Sequence, residues 1–427
     1  MTITSPGWPA PLAPGPVDAR VVLPGSKSLT NRWLVLAALS RGPVTLRGAL
    51  RSRDTDLMVA ALQALGVTTH QRGELLDITP APLHGQAVVD CGLAGTVMRF
   101  LPPLAALADG DVRLTGDPRA SERPLSALCG ALRQLGVEVS GDALPLVVHG
   151  RGRVRGGEVE LDASASSQLI SGLLLSGPRF DRGLTVVHTG ASLPSRPHLD
   201  MTVECLRAAG ALVDAETPGR WRVEPGELAL PDLTVEPDLS NAGPFLAAAL
   251  VTGGTVTVPD WPRTTTQAGD ALRTLLTAMG AQVSLDDDGL TVRGTGAIHG
   301  LTADLSDVGE LAPTLAAIAA LADSPTRLTG IAHLRGHETD RIAALVTELR
   351  RLGGDADELA DGLVIRPCAL HGGLVQTYGD HRMATAAAIL GLRVPGVEVV
   401  DVATTAKTLP GFVNLWQQML GLDSVPA

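Results

Sequence analysis

At 427 residues the chain is too long for one ordinary core, so two domains are expected, and 45% hydrophobic against 19% charged residues gives enough apolar content to bury both. Aromatics are only 2%, so those cores must be built from Ala, Val, Leu and Ile. A net charge of -11 argues against non-specific nucleic-acid binding, and no run of about 18 apolar residues marks a membrane span.

The first 20 residues are Pro-rich, with neither a basic n-region nor an apolar h-region, so no signal peptide and a cytoplasmic location are expected. Then comes "LPGSKSLTNR", Leu23 to Arg32, ahead of an apolar run. It lacks the G-x-x-x-x-G-K-[ST] spacing of a nucleotide-binding P-loop. What remains is a helix over Ser28–Leu39 capped by Ser26 or Ser28, whose first N–H groups and dipole favour an anion. A helix over Ala94–Ala108 opens with "LAGTVMRF", where Gly95 permits close approach of a ligand to the backbone and Arg99 follows about one turn on. "GDPRASERP" places Arg119 and Arg123 on a turn, with Pro124 expected at the first position of the next helix. "SASSQ" sets Ser166, Ser167 and Gln168 at the start of a helix over Ser167–Leu175; alone, it is no more than an N-cap. "PSRPH" adds Ser195 and Arg196.

A polar, Pro-marked stretch from Leu233 to Pro244 reads as a domain boundary, with a hinge near Glu236–Ser240. Beyond it, helices are expected over Ala242–Val251, Glu310–Ala322 and Arg382–Leu392. "SDVGELA" carries Asp307 and Glu310. "GHETDR" sets Glu338 and Arg341 three apart, as on one helix face, which a solvated surface pair would also explain. "YGDHRMA" carries Asp380, His381 and Arg382, and "TAKTLPG" carries Lys407.

These elements recur. Gly66, Gly136, Gly210, Gly280, Gly353 and Gly421 each follow an amphipathic helical stretch, as helix-terminating glycines do, at intervals of 70, 74, 70, 73 and 68 residues. About ten residues after each of the first five comes a strand-like run: "ELLDITP", "LPLVVHG", "RWRVEPG", "GLTVRGT" and "GLVIRP". The expectation is an α/β fold of six units of about 70 residues, three to a domain.

Of 34 Lys plus Arg residues, only Lys27 and Lys407 are lysines. Arginine can replace lysine on any solvated surface, so these two mark places where a compact ammonium matters. Arg99, Arg119, Arg196, Arg341 and Arg382 fall at helix edges of successive units, which suits a multiply anionic ligand. Cys91, Cys129, Cys205 and Cys368 are scattered, which fits reduced thiols and neither a disulfide frame nor a zinc site.

In order along the chain, "LPGSKSLTNR", "LAGTVMRF", "GDPRASERP", "SASSQ", "GHETDR", "YGDHRMA" and "TAKTLPGF" are similar to the signatures of the 5-enolpyruvylshikimate-3-phosphate (EPSP) synthase family. That resemblance implies a two-domain inside-out α/β barrel with three βαβαββ units per domain. It implies a shikimate 3-phosphate side formed by 21–236 and a phosphoenolpyruvate side formed by 237–427 with 1–20, the active site lying between them. The implied reaction moves the enolpyruvyl group of phosphoenolpyruvate to the 5-hydroxyl of shikimate 3-phosphate and releases phosphate, in a monomer without metal or organic cofactor. For shikimate 3-phosphate it implies Lys27, Ser28, Arg32, Ser166, Ser167, Gln168, Ser195, Glu310 and His337. For phosphoenolpyruvate it implies Lys27, Gly95, Arg119, Gln168, Arg341, Arg382 and Lys407. Proton transfer would fall to Lys27, Glu310, Glu338 and Lys407. The chain departs from many members at Leu93 (Asn there), Phe100 (Pro), Glu310 (Asp) and His337 (Lys). The first two bear on how the herbicide glyphosate would fit. The alternative is the sister enolpyruvyl transferase acting on UDP-N-acetylglucosamine. That enzyme typically has Lys-Asn at Lys27-Ser28 and a reactive loop cysteine, for which Cys91 and Cys129 are poorly placed.

Overall fold

The computed structural model describes residues 7–422. It divides into two compact units, one formed by Gly25–Glu236 and the other by the chain up to Pro24 together with the chain from Pro237 onward. The chain therefore passes between units twice. Each passage is anchored within its own unit: the Ser26 N–H donates to the Glu236 carbonyl at 2.7 Å, and the Asp238 N–H to the Pro24 carbonyl at 2.9 Å.

The Gly25–Glu236 unit has helices α1 (Lys27–Leu39), α2 (Arg53–Ala64), α3 (Gly95–Ala105), α4 (Ser126–Gln134), α5 (Gln168–Ser176) and α6 (Pro197–Ala208). Its three sheets share one spatial pattern. Ala87–Asp90 runs parallel to Asp109–Thr115, which pairs antiparallel with Leu146–Arg151, which pairs with Glu138–Ser140. Gly157–Leu161, Leu184–His188, Arg220–Val223 and Val213–Asp214 repeat it. In the third sheet the parallel edge strand, Leu233–Thr234, comes from the far end of the unit and lies against Val44–Arg47. A parallel pair needs a long crossover, and α3 and α5 supply it in the first two sheets.

Eleven of the thirteen residues of α1 are buried, and α3 and α5 are buried almost as fully. A helix apolar all round belongs inside a core, and here these three are packed together there. Gly172 lets α5 approach α3: a Cβ there would lie 2.2 Å from the Arg99 carbonyl oxygen.

The second unit has α7 (Leu239–Thr252), α8 (Leu272–Ala278), α9 (Ala312–Ala319), α10 (Arg341–Arg351), α11 (His381–Gly391) and α12 (Phe412–Met419). Again three helices, α7, α9 and α11, are buried nearly all round and pack on one another. Two sheets are four-stranded, and in one of them the parallel edge strand Asp18–Arg20 comes from the N-terminal segment and lies against Thr255–Val258. The third has three strands, with Trp8–Pro9 paired to Val397–Val399.

All six repeat glycines have positive φ, between 65° and 104°, as helix-ending glycines require. Three local expectations are corrected. Glu338 is not on a helix face with Arg341, because Asp340 accepts from the Ala343 N–H at 3.0 Å and α10 begins after that cap. Pro124 does not open α4, which starts at Ser126, because the Arg123 N–H closes a 3₁₀ turn over Pro118–Glu122 first. The segment Glu310–Ala322 is a 3₁₀ turn at Gly309–Leu311 followed by α9, which ends at Ala319.

Candidate active site

In the Gly25–Glu236 unit the first turns of the buried helices are tied side to side. Ser26 caps α1, its hydroxyl accepting from the Leu29 N–H at 3.4 Å. Asn31 Nδ2 of α1 donates to Thr96 Oγ1 of α3 at 2.6 Å. Arg99 Nη1 of α3 donates to Gln168 Oε1 of α5 at 3.3 Å. The Ser167 hydroxyl donates to the Ser195 carbonyl at 3.2 Å, joining the start of α5 to the turn before α6. Lys27, Ser28, Gly95, Ser166, Ser167, Gln168 and Ser195 are thus gathered at one end of the bundle, where helix N-termini favour anions. Ser195 sits at φ +56°, a conformation a non-glycine residue adopts at some expense and which clusters at functional sites.

Cations border this end. Lys27 Nζ lies 3.6 Å from Asp54 Oδ2. Buried Arg123 donates to the Leu93 carbonyl at 3.2 Å. A Cβ on Gly95 would meet Arg99 Nη1 at 2.8 Å and Arg123 Nη2 at 3.0 Å, so only glycine leaves both guanidiniums in place. Arg119 and Arg196 are exposed.

Arg32 differs from the expectation of a ligand contact. It is wholly buried and donates to Thr202 Oγ1 at 2.8 Å, to the His198 carbonyl at 2.8 Å and to the Ser28 carbonyl at 2.9 Å. Its guanidinium also lies 5.2 Å from the centre of the Phe100 ring. Burial lowers its pKa to about 10, with Cys205 opposing. In this structure Arg32 braces α1, and Phe100 is the aromatic face it stacks on.

The second unit holds a denser constellation. Arg341, buried, donates from Nε to Asp380 Oδ2 at 2.7 Å and from Nη2 to Glu338 Oε2 at 2.9 Å. Lys407 Nζ, also buried, donates to Glu338 Oε1. His337 Nδ1 lies 3.2 Å from Arg341 Nη1. Asp380 caps α11 by accepting from the Arg382 N–H at 2.9 Å, which fixes where Arg382 leaves the backbone. Glu310 accepts from Ser240 Oγ at 3.2 Å, joining the turn before α9 to α7. Asp307, three residues before Glu310, is exposed.

The charges act on one another. Burial pulls the Arg341 guanidinium down, but Asp380 and Glu338, with Glu310 beyond, outweigh it and hold it above the ordinary arginine range. Burial and the like charge of Arg341 keep Arg382 below that range, against Glu310, Asp238 and Asp380. Nothing in the sequence pattern marks His333. Its ring centre is 5.8 Å from that of His337, and burial depresses its pKa, with Glu310 opposing and Arg341 adding. Asp54 is unmarked too: "RSRDTD" looks like an ordinary acidic first turn of a helix, and nothing in that pattern marks one acid as buried. Among the described residues no group of His, Cys, Asp and Glu is arranged to hold a metal ion, and no helix is long and apolar enough to cross a membrane.

The family model for EPSP synthase (3-phosphoshikimate 1-carboxyvinyltransferase) matches residues 12–416. The chain belongs to the EPSP synthase family. Among solved structures it is similar to an EPSP synthase from Acinetobacter baumannii determined at 2.37 Å, with a TM-score of 0.80 and 25% identity over 96% of this chain and 97% of that one. A second structure of EPSP synthase from Acinetobacter baumannii matches with a TM-score of 0.80 and 24% identity, over 99% of each chain. As an EPSP synthase the chain is a transferase of the shikimate pathway, joining the enolpyruvyl group of phosphoenolpyruvate to shikimate 3-phosphate. The EPSP synthase matches also agree with a mixed α/β fold in two domains.

Proposed function

We propose that the two constellations divide the substrates of one reaction. Lys27, Ser28, Ser166, Ser167, Gln168 and Ser195 hold shikimate 3-phosphate, joined by Glu310 and His337, with Arg32 bracing α1 behind them. Arg341, Arg382 and Lys407 hold phosphoenolpyruvate, joined by Lys27, Gly95, Arg119 and Gln168. The observation that carries this reading is the buried Lys407–Glu338–Arg341–Asp380 network, with Arg382 beside it. Cations this far from water are expensive, and a bound carboxylate or phosphate offsets the cost.

The chemistry needs a proton on C3 of phosphoenolpyruvate to make C2 electrophilic. Glu338 is the donor in this reading, and Lys407 at its other oxygen holds the carboxylate that this leaves until it takes a proton back in the elimination. Glu310, or Lys27, takes the proton of the attacking 5-hydroxyl. The tetrahedral adduct keeps both phosphate and carboxylate, so the arginines grip it throughout. Loss of a methyl proton to the same carboxylate then expels phosphate and forms the enolpyruvyl ether.

The finer fold reading is an inside-out barrel with three βαβαββ units in each domain, 21–236 on the shikimate 3-phosphate side and the remainder on the phosphoenolpyruvate side. The shared strand order of five sheets and the two sets of three buried helices support it. A cytoplasmic monomer sensitive to glyphosate through Gly95 completes the proposal, tempered by Leu93 and by the way Phe100 is engaged with Arg32.

Phosphate release from phosphoenolpyruvate tests the assignment. Release with shikimate 3-phosphate and none with UDP-N-acetylglucosamine is expected. Release with the nucleotide sugar alone would overturn it.

A further inference from the structure

We propose that Asp54 is a positioning residue for Lys27, holding its ammonium charged and aimed at the end of the helix bundle where the anions bind. This rests on the reading that Lys27 touches substrate. Asp54 is completely buried, and neither carboxylate oxygen accepts a hydrogen bond. A desolvated carboxylate left in that state is costly unless a cation answers it. Among the described residues two cations come within ion-pair reach: Lys27 Nζ at 3.6 Å from Oδ2 and Arg53 Nε at 3.8 Å from Oδ1. The Arg53 side chain is half exposed, so water screens it. Lys27 is the more enclosed partner, with its side chain 21% exposed.

A plain helix-dipole role does not explain the burial. Asp56 lies in the same first turn, at the surface, paired with Arg51 at 2.7 Å, and serves the dipole from there. α2 packs against α1, α3 and the strands Thr68–Arg72 and Ala87–Asp90. The other charged groups on those elements are Arg32 and Arg99, already committed to neighbours on their own side, His70, Arg72 paired with Asp77 at 2.5 Å, and Asp90, which accepts from the Gly92 N–H. None reaches Asp54. The 3.6 Å gap is wider than a hydrogen bond, so Lys27 is drawn toward Asp54 without being locked to it. A substrate phosphate can compete for it.

Because Lys27 and Lys407 are the only lysines, protein labelled with ¹³Cε-lysine gives two lysine side-chain signals. Lys27→Arg assigns them, and the Lys407 signal is the internal reference. In Asp54→Asn the Lys27 signal is expected to titrate at lower pH than in the unsubstituted protein. The high-pH limb of kcat/KM should move down with it, and activity at neutral pH should fall by on the order of 10²-fold. Asp54→Glu, which keeps the charge, should recover part of both. Should Asp54→Asn not fold, the unsubstituted protein decides: a Lys27 midpoint at or below the ordinary lysine value overturns the pairing. A folded Asp54→Asn protein in which Lys27 titrates as before also overturns it. Lys27→Met separates the two ideas. If it remains active, the role given to Lys27 fails; if it is inactive while Asp54→Asn leaves the Lys27 titration unmoved, only the role of Asp54 fails.

Discussion

Arg341 and Asp380 form a buried two-pronged ion pair, with Nε 2.7 Å from one carboxylate oxygen and Nη2 3.2 Å from the other. The same carboxylate caps α11, so one side chain fixes both a guanidinium and a helix start. Asp380→Ala leaves Arg341 buried with Glu338 as its remaining carboxylate partner and removes the cap. The expected loss is about 3–5 kcal/mol. Chemical denaturation, followed through a signal from the unit that carries α11, measures it; an unchanged midpoint would show that the pair adds nothing.

Lys27→Arg preserves charge but not size. The ammonium sits half buried beside Asp54, where a planar guanidinium has different reach and geometry. Turnover is expected to fall by on the order of 10²-fold with the fold intact. Steady-state kinetics on the purified variant checks it, and near-normal turnover would contradict it.

Gly95→Ala introduces a Cβ 2.8 Å from Arg99 Nη1 and 3.0 Å from Arg123 Nη2. Both guanidiniums must shift away from the start of α3. The KM for phosphoenolpyruvate should rise roughly tenfold, about 1.4 kcal/mol, while the KM for shikimate 3-phosphate stays nearly level. An equal rise in both would point to a general distortion of α3.

Glu338→Gln keeps the shape and the ability to accept from Arg341 but cannot deliver a proton. A rate loss of about 10²–10⁴-fold is expected, with shikimate 3-phosphate still binding by calorimetry. Exchange of solvent deuterium into the methylene of phosphoenolpyruvate reports C3 protonation directly. Persistence of that exchange at the unsubstituted rate would mean that another group is the acid.

His333 gives a pH dependence with a definite sign. Its pKa in the folded protein is depressed, first by burial, from an ordinary value of 6.5. Above 6.5 the group is neutral in both states and stability is unaffected. As pH falls below 6.5 the unfolded chain takes up the proton first, so stability is lost until the folded pKa is passed. His333→Gln should flatten the slope of unfolding free energy as pH falls through and below about 6.5. An unaltered slope would assign it to other groups.

Much of this fold was legible because the buried helices leave long apolar runs: α1, α3, α5, α7 and α11 lie within three residues of the expected bounds at either end. The strands at Leu75–Thr79, Leu146–Arg151 and Gly289–Arg293 were visible for the same reason, a patterned run closed by glycine or proline. Two-residue strands such as Trp8–Pro9 and Leu233–Thr234 are too short to carry any period and exist only through their partners. At the site, motifs gave residue types without burial. Arg32 stood among presumed ligand contacts, and only its packing against Thr202 and Phe100 shows it as a brace. Asp54 and His333 had no signal at all, since their character comes from what closes over them.

The way the N-terminal segment is used bears on synthesis at the ribosome. Asp18–Arg20 must wait for Thr255–Val258, and Trp8–Pro9 for Val397–Val399, so both strands are made long before the partners they pair with. The Gly25–Glu236 stretch is uninterrupted and can close while the remainder is still being translated. Until their partners are made, Trp8–Pro9 and Asp18–Arg20 lie on an unpaired stretch with strand edges on offer. A nascent chain stalled before Val397 would carry one finished unit and one in which Trp8–Pro9 and Gly373–Val375 still lack the strand that lies between them, which is the species a chaperone would have to hold.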